Sequence, residues 1–354
     1  MPTFTAAQLK QYGQDVFHAA GASPEEARIV ADSLVEANLA GHDSHGVMRI
    51  PEYVEAMEKG LVVLGAKLQI VLESESFAVL DGGWGFGQVM GQQAMAIAID
   101  KAARTGVATI FARNCCHIGR VGEYPEIAAA RGMACVMFVN AHGAGKLVAP
   151  WGGLDRRLSA NPIAIGVPRS FSGSAKDGGD PIIVDISTCA IAEGKLRNML
   201  TAGAAVPPGS IVDAEGKPST NAADFYGPPP GALLPFGGHK GYALGLAAEL
   251  LSGGLSGAGC SRPDGDRLGN SFTAVVIDVA RVRGAEAFEQ EARKLAEYVK
   301  SSRRAPGVEE ILVPGEPEKR ERERRSREGI AVHAATWQRI VDTAQRHGLN
   351  LQVQ

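Results

Sequence analysis

The sequence predicts an α/β fold that is not a doubly wound Rossmann sheet. Three segments with helical patterns come before any strand-like run, and further helical patterns close the chain. Between them, short buried-type strands alternate with helices, which is the pattern of an α/β protein. A single glycine-rich turn follows a strand in the way a dinucleotide-binding loop would, and its spacing departs from that fingerprint.

The N-terminal part of the chain is predicted to be helical. A first helix covers residues 5–20. The segment Ser23-Pro24-Glu25-Glu26 is a capping box with proline at the first helical position, and it begins a second helix that ends at Ala40-Gly41. A third helix is predicted over about residues 49–59.

Strands and helices then alternate to the end of the chain. The predicted strands cover residues 68–72, 77–80, 107–112, 133–139, 161–168, 182–188 and 272–279, and the predicted helices cover residues 88–104, 124–130, 190–200, 239–251, 285–302 and 336–347. Residues 170–180 are predicted to form a polar loop, and residues 201–235, rich in proline and glycine, an irregular segment.

The glycine-rich stretch of residues 81–91 follows the second predicted strand. From Gly85 its spacing is G-x-G-x-x-x-G, whereas the dinucleotide fingerprint is G-x-G-x-x-G. No acidic residue closes a second strand about 20 residues later, where ribose recognition would need one. This stretch is therefore predicted to be a glycine turn that starts a helix.

Composition indicates an ordinary globular protein of the cytoplasm. The 354 residues are 45% hydrophobic and 21% charged, and the net charge of −3 gives no reason to expect a nucleic acid or a membrane surface as partner. No apolar run approaches the roughly 20 residues of a membrane span, and residues 1–11 lack the pattern of a signal peptide. The five cysteines form no C-x-x-C pair, which fits a reducing compartment.

A polar cluster lies in the stretch from Gly41 to Tyr53, between the second and third helices. An arginine such as Arg49 can clamp a substrate carboxylate in a two-pronged pair. A histidine such as His45 titrates near neutrality and can pass a proton to or from a carbonyl oxygen, and Ser44 can add a hydrogen bond. Two alternatives remain open: His42 and His45 could bind a divalent metal, or the cluster could be a polar turn with a structural ion pair.

Further segments suit an anionic ligand. Residues 113–124 place His117 after a strand and two glycines before a helix, where exposed amides bind phosphate. Asp185 closes a buried strand and could meet a ribose or cap the next helix. His239 and Lys240 open a helix behind three residues that include two glycines. For His117 the alternative is a histidine that caps a turn.

These motifs together resemble the malate/L-lactate dehydrogenase family of type 2, and the resemblance covers nearly the whole chain. It rests on the following segments: Gly41-His42-Asp43-Ser44-His45-Gly46 with Arg49 and Tyr53, His117-Ile118-Gly119 with Gly122 and Tyr124, Pro150-Trp151-Gly152-Gly153, Asn161-Pro162, Asp185-Ile186-Ser187, Gly194-Lys195, His239-Lys240-Gly241-Tyr242 and Pro314-Gly315-Glu316. Each motif alone is weak, whereas their order and number are specific.

The resemblance implies a fold peculiar to this family, with a largely antiparallel sheet in the cofactor-binding part and helical N- and C-terminal segments. It implies hydride transfer between a nicotinamide cofactor, NAD or NADP with NAD slightly favoured, and a small 2-oxo acid, 2-hydroxy acid or cyclic imino acid. It also implies a homodimer with the active site near the subunit contact. Three parts are expected: an N-terminal helical segment (1–75) that packs with the C-terminal part, a cofactor-binding and central domain (76–310), and a C-terminal helical segment (311–354).

The resemblance also suggests roles for individual residues. His45 with Ser44 matches the proton donor of several members, His117 matches the acid/base of others, and Arg49 matches the carboxylate clamp, with Tyr53 beside it as a further substrate-binding residue. The residues implied for the cofactor are His117, Ile118, Gly119, Arg120, Val121, Asp185, Ile186, Ser187, His239, Lys240, Pro314, Gly315 and Glu316. No metal is expected.

Two departures from the family pattern bear on the substrate. Members that reduce cyclic imines have an aspartate where this chain has Lys195, and most members have a threonine where it has Ala160. We therefore favour a dehydrogenase of malate-like or lactate-like 2-hydroxy acids. The alternatives are a reductase of piperideine- or pyrroline-2-carboxylate and, from another class, a non-catalytic binder of small molecules.

Overall fold

Helices surround a central sheet in the structure, a computed structural model that describes residues 1–143, 145–171, 179–265 and 267–351. The helices are α1 (Ala6–Ala19), α2 (Pro24–Leu39), α3 (Ile50–Glu58), α4 (Gly87–Thr105), α5 (Glu123–Ala129), α6 (Glu193–Ala202), α7 (Ala222–Tyr226), α8 (His239–Ala248), α9 (Val279–Arg283), α10 (Ala285–Lys300), α11 (Glu316–Glu328) and α12 (Ala334–Arg346). The strands are β1 (Thr3–Phe4), β2 (Gln69–Glu73), β3 (Phe77–Asp81), β4 (Val107–Cys115), β5 (Met133–His142), β6 (Ile163–Val167), β7 (Ile182–Ile186), β8 (Ile211–Val212), β9 (Pro218–Ser219), β10 (Ala232–Leu233), β11 (Gly269–Asp278) and β12 (Ile330–Ala331).

The central sheet has seven strands in the order β2-β3-β4-β11-β5-β6-β7. β3 and β4 run parallel, because α4 carries the chain back between them. The other neighbouring pairs in this sheet are antiparallel. The expected α/β fold, with a largely antiparallel rather than a doubly wound sheet, is therefore confirmed.

The glycine turn after β3 is filled by the protein itself. Trp84 takes a positive φ of 61°, and Gly87 begins α4. A Cβ atom at Gly87 would lie 2.3 Å from the carbonyl oxygen of Cys116 and 2.4 Å from that of His117. The backbone of residues 116–117 thus covers the first turn of α4, which agrees with the prediction of a plain glycine turn.

Local capping signals explain the first two helices. The side chain of Ser23 accepts a hydrogen bond from the amide of Glu26, and the Glu26 carboxylate accepts one from the amide of Ser23. Such reciprocal bonds satisfy two amides that the first turn leaves without partners. α2 then buries one apolar face, including Val30 and Leu34, against the core.

The two ends of the chain meet. β1 pairs with β12 in a separate two-stranded sheet, and the ring of Trp337 in α12 lies 4.4 Å from that of Phe4. One cluster of buried side chains runs from these residues through α2 to the central sheet. The division at residues 75 and 310 stays a prediction.

Two segments differ from their sequence-based descriptions. Residues 201–235 contain α7 and a three-stranded sheet in the order β10-β8-β9, whose two-residue strands are too short to give a periodic signal. The helix that begins at His239 is α-helical to Ala248 and continues with wider π turns over Glu249–Gly254. Residues 172–178 of the predicted polar loop lie outside the described residues. No helix in the described ranges is long and apolar enough to cross a membrane.

Candidate active site

The polar cluster forms a tight double turn between α2 and α3. Residues Asp43–His45 and Val47–Arg49 each make one 3₁₀ turn. Asn38 at the end of α2 supports both turns, because its Oδ1 accepts from the amide of Val47 (2.8 Å) and its Nδ2 donates to Asp43 (2.5 Å). Gly46 packs so closely that a Cβ there would lie 2.2 Å from the Asn38 Oδ1 atom.

Helix α11 holds the same turn from the other side. Arg325 donates to both carboxylate oxygens of Asp43, at 2.5 and 3.0 Å, and to the carbonyl oxygen of Asn38 at 2.9 Å. Glu318 lies 3.7 Å from Nε2 of His42. A forked guanidinium–carboxylate pair fixes direction as well as distance. Helix α11 thereby orients the turn that carries His45.

Two histidines stack at the centre of the site. The rings of His45 and His117 have centroids 5.6 Å apart and planes 14° apart. The Nδ1 of His45 contacts the Ser44 hydroxyl at 3.1 Å, and the Nδ1 of His117 contacts the Tyr53 hydroxyl at 2.6 Å. Four of the sequence-predicted site residues, from α3, the double turn and the loop after β4, therefore lie together.

Both imidazoles are held in the neutral form, because their pKa values lie below the near-neutral value expected from the sequence. Burial, followed by the nearby charges of Arg49, His42 and Arg120, lowers the pKa of His45 to about 3. Burial, with Arg49 and His45 as lesser causes, also lowers the pKa of His117 well below its ordinary value. A neutral imidazole has one nitrogen that can accept a proton and one that can donate a hydrogen bond.

Arg49 lies beside the histidines in a chain of charges. Its Nε donates to the carbonyl oxygen of Ser44 at 2.8 Å, and its Nη1 donates to Glu52 at 2.6 Å. The second oxygen of Glu52 accepts from Arg197 of α6 at 3.2 Å, and Arg197 also pairs with Glu193 at 3.0 Å. The side chain of Arg49 is 18% exposed. The positive charge nearest the histidines is therefore partly open to a ligand.

The segments proposed for the cofactor converge around β7. The Oδ2 of Asp185 accepts from the amide of Gly122 at 2.8 Å, which joins β7 to the loop of residues 117–122. The amide of Ile183 donates to the carbonyl oxygen of Pro314 at 3.2 Å. The amide of Phe236 donates to the carbonyl oxygen of Thr188 at 3.0 Å. β7 and the residues after it therefore touch the loop of residues 117–122, Pro314 and the turn that leads into α8.

Several of these residues fit an anionic cofactor. His239 and Lys240 are exposed in the first turn of α8, where the helix dipole favours an anion. Arg120 is 2% exposed, and its Nε and Nη1 have no partner among the described residues. Others in the set are already engaged, since Glu316 pairs with Lys300 at 2.7 Å.

The two departures from the family pattern lie close to this site. Gly194 of α6 packs on Ser44 so tightly that a Cβ there would lie 2.3 Å from the Ser44 Cβ. Lys195, the next residue, is exposed. The carbonyl oxygen of Ala160 accepts from both the amide and the hydroxyl of Thr188, each at 2.9 Å.

Residues that the sequence-based description missed also meet at the site. Glu52 could have been found, because it lies three residues after Arg49 in the same helical register. Arg197 and Arg325 are far away in sequence and give no local signal. Gln88, which contacts Tyr53, lies inside the glycine stretch that was interpreted only as a turn.

A metal site and a cysteine nucleophile find little support in this region. Among the described residues, no group of three or more histidine, cysteine, aspartate or glutamate side chains is arranged to hold a metal ion. All five cysteines are free thiols. Burial raises the pKa of Cys116 to about 11, so this thiol next to His117 stays protonated and is a poor nucleophile.

Comparison with known proteins gives consistent matches over the full length. A family model described as malate/L-lactate dehydrogenase matches residues 4–341. The chain is 39% identical over 353 residues to hydroxycarboxylate dehydrogenase B of Escherichia coli O157:H7, covering 98% of this chain and 94% of the relative. It is 38% identical over 339 residues to L-lactate dehydrogenase of Cupriavidus necator, covering 95% of each chain.

Solved structures give the same result. The sulfolactate dehydrogenase of Methanocaldococcus jannaschii superposes with a TM-score of 0.87 at 34% identity, over 99% of this chain and 98% of the other. The Δ1-piperideine-2-carboxylate reductase of Pseudomonas syringae superposes with a TM-score of 0.82 at 30% identity, over 97% and 100%. Hydroxy-acid dehydrogenases predominate among the matches, which supports that activity over imine reduction.

Proposed function

This chain belongs to the malate/L-lactate dehydrogenase family, and we propose that His45, His117 and Arg49 form its catalytic centre. The protein is an oxidoreductase that transfers hydride between a nicotinamide cofactor and a small 2-hydroxy acid or the corresponding 2-oxo acid. The observation that carries the proposal is the stacked pair of neutral histidines beside a partly open arginine.

Arg49 is proposed to bind the substrate carboxylate. Its Nε and Nη1 are engaged by Ser44 and Glu52, and Nη2 has no hydrogen bond among the described residues. A carboxylate that shares or replaces the Glu52 contact would gain a charge-assisted pair. A carboxylate held there would bring the 2-hydroxyl group, on the adjacent carbon, towards the two imidazoles, both of which are affected by the Arg49 charge.

The histidine pair is proposed to exchange the proton of the substrate oxygen. A neutral imidazole is ready to accept the hydroxyl proton as the alcohol is oxidised, and the protonated ring returns it in reduction. The positive Arg49 lowers both histidine pKa values. A bound carboxylate offsets that charge, and so makes protonation of the ring easier at the moment it is needed.

The cofactor is proposed to be NAD, bound by the segments around β7. Lys240, Arg120 and the first turn of α8 would hold its phosphate groups, and Asp185 would supply the carboxylate that favours a free ribose hydroxyl over a phosphate. When bound, the nicotinamide ring accepts or supplies the hydride. The basic residues in the same segments are the reason why NADP must be assayed beside NAD.

The pH dependence should reflect the lowered pKa values. Oxidation of a 2-hydroxy acid needs a neutral imidazole, and burial lowers the pKa of His45 to about 3. We therefore expect kcat/KM for oxidation to persist below the ordinary histidine pKa of about 6.5, and to fall only as the pH nears the lowered value. The measurement is kcat/KM against pH with a 2-hydroxy monocarboxylate, and an acid limb at or above about 6.5 would contradict the assignment.

A homodimer is proposed on the basis of an apolar helical face. α8 and the π turns that follow it expose Leu244, Leu246, Leu250 and Leu255, while the charged Glu249 between them is buried. Monomers seldom expose so continuous an apolar surface. Its polar end is Lys240, so a second copy on this face would lie beside the proposed cofactor segment, as the family resemblance implies.

Charge introduced on this face should separate the subunits. We expect the unaltered protein to elute at about twice the mass of one chain in size-exclusion chromatography with light scattering. Leu246→Asp should shift it towards the monomer, because an unpaired carboxylate would be buried in the contact. Val282→Asp, at an apolar residue of α9 that is more exposed than Leu246, is the control. If Val282→Asp dissociates the dimer and Leu246→Asp does not, the contact lies elsewhere.

A substrate screen tests the proposed function as a whole. Purified protein would be offered NADH and NADPH with a panel of 2-oxo acids and the two cyclic imines, and the loss of reduced nicotinamide would be followed by absorbance. Turnover of an open-chain 2-oxo acid with NADH is expected. Turnover of imines alone would overturn the assigned substrate class, and turnover only with NADPH would overturn the assigned cofactor.

A further inference from the structure

The hydroxyl group of Tyr53 joins Gln88 to His117. Gln88, in the first turn of α4, is fully buried, and its Nε2 donates to the Tyr53 oxygen at 3.0 Å. The same oxygen lies 2.6 Å from Nδ1 of His117. Gly119 closes this pocket, since a Cβ there would lie 3.1 Å from the Gln88 Nε2 atom. Three elements of the fold thus build one hydrogen-bonded chain.

Counting donors and acceptors along these hydrogen bonds gives the tautomer of His117. The Tyr53 oxygen accepts a hydrogen bond from the Gln88 amide, so its own proton is free for the other partner, Nδ1 of His117. Burial raises the pKa of Tyr53, so the hydroxyl keeps that proton. Nδ1 therefore accepts, and the single proton of the neutral ring is on Nε2.

His45 has a different partner. The Ser44 hydroxyl, 3.1 Å from Nδ1 of His45, receives no donor of its own among the described residues. It can rotate to donate to a neutral ring or to accept from a protonated one. Tyr53 has no such freedom, because a protonated His117 would leave the tyrosine oxygen facing two donors and its own proton without an acceptor.

We propose that Gln88 is a positioning residue that, through Tyr53, keeps His117 as a neutral Nε2–H donor, while His45 is the histidine that gains and loses the proton. In oxidation the substrate O–H bond breaks, its proton passes to His45, and the hydride on carbon is lost to the oxidised cofactor. The Nε2–H of His117 stabilises the negative charge that develops on oxygen. This division of roles deepens the proposed function and rests on it.

Few charged and titratable groups face the hydrogen-bonded series of Gln88, Tyr53 and His117. Arg49 and His45 face His117, and Arg49, Glu52 and Cys116 face Tyr53. Arg49 is common to both and opposes a positive charge on His117. Among the described residues, Arg49 donates to Ser44 and Glu52 and Cys116 donates to Trp84, whereas the Gln88 amide donates to the Tyr53 hydroxyl.

Glutamine substitutions distinguish the roles of the two histidines. A glutamine amide can replace the Nε2–H of a histidine as donor, but it cannot exchange a proton. We expect His117→Ala to lower kcat by roughly 10²- to 10³-fold. The kcat of His117→Gln should be at least roughly tenfold higher than that of His117→Ala, with the pH profile unchanged. His45→Gln should be no better than His45→Ala. Recovery at residue 45 and none at residue 117 would reverse the assignment.

Variants of Gln88 test the positioning role directly. ¹⁵N NMR of the imidazole rings, with His117→Gln to identify the signal, should show a protonated Nε2 in the unaltered protein. In Gln88→Glu the ionised carboxylate accepts from Tyr53, so the proton should move to Nδ1. Its kcat should then fall as the pH rises through the pKa of Glu at position 88, and recover at lower pH, because a protonated carboxyl can donate again. Gln88→Met, which keeps the shape and lacks a donor, should show both tautomers.

The outcomes distinguish this inference from the proposed function. A protonated Nδ1 in the unaltered protein, as an amide turned over at Gln88 would give, overturns the inference alone. Full activity of both alanine variants overturns the proposed function itself. Thermal unfolding of each variant shows whether a loss of activity reflects loss of the fold.

Discussion

Replacing His45 with alanine is expected to lower kcat by roughly 10²- to 10⁴-fold, the range over which a positioned acid or base contributes to a rate. His45 is half-buried in the stacked pair. Its neutral ring contacts the Ser44 hydroxyl, which can donate to the neutral ring or accept from the protonated one. Its ring stacks on the imidazole of His117. The measurement is kcat for a 2-hydroxy acid at saturating cofactor.

Its control separates chemistry from binding. His333→Ala, at an exposed histidine before α12, should leave kcat unchanged. Cofactor affinity of His45→Ala, measured by fluorescence titration, should stay within a few-fold of the unaltered protein. A His45→Ala enzyme with normal turnover would show that the acid/base has been placed wrongly, whereas ligand binding without turnover in the unaltered protein would favour a non-catalytic binder.

Replacing Arg49 with glutamine is expected to lower kcat/KM by roughly 10²- to 10³-fold. Loss of one partner of a partly buried, hydrogen-bonded charge pair costs about 3–4 kcal/mol, which corresponds to that range. Most of the change should be in KM, because the clamp binds the carboxylate in both the ground state and the transition state. A smaller fall in kcat is expected as well, since Arg49 also holds the carbonyl oxygen of Ser44.

The conservative variant and a surface control make the result specific. Arg49→Lys keeps the positive charge and loses the fork, so kcat/KM should still fall by about tenfold or more. Arg104→Gln, at an exposed arginine of α4 that pairs with Asp100, should have no effect. An unchanged KM in Arg49→Gln would mean that the carboxylate is bound by another group, such as Arg197.

Much of the local structure could be predicted from the sequence. Ser23 and Glu26 mark the start of α2 because a capping box acts between residues three apart. The density of polar groups from Gly41 to Arg49 marks the double turn, and the glycine spacing after β3 excludes a Rossmann loop. Such signals are readable because each of them involves neighbours in the chain.

The order of the strands and the partners of the site residues could not be predicted in this way. β11 lies between β4 and β5 in the sheet although it comes last of the seven in the chain, and periodicity carries no information on pairing. Arg325 reaches Asp43 from α11, and Arg197 reaches Glu52 from α6. These contacts join residues more than a hundred positions apart, where the sequence pattern gives no constraint.

The sequence by itself determined which side chains were available: a histidine and an arginine in one turn, a second histidine after a buried strand, and a family pattern that names the reaction. Only the tertiary structure decided what each can do. The pKa of His45 falls because folding buries it near Arg49 and Arg120, and the tautomer of His117 depends on a tyrosine from α3 and a glutamine from α4. Protonation depends on burial and on the nearest donors, and both are created only when distant segments pack together.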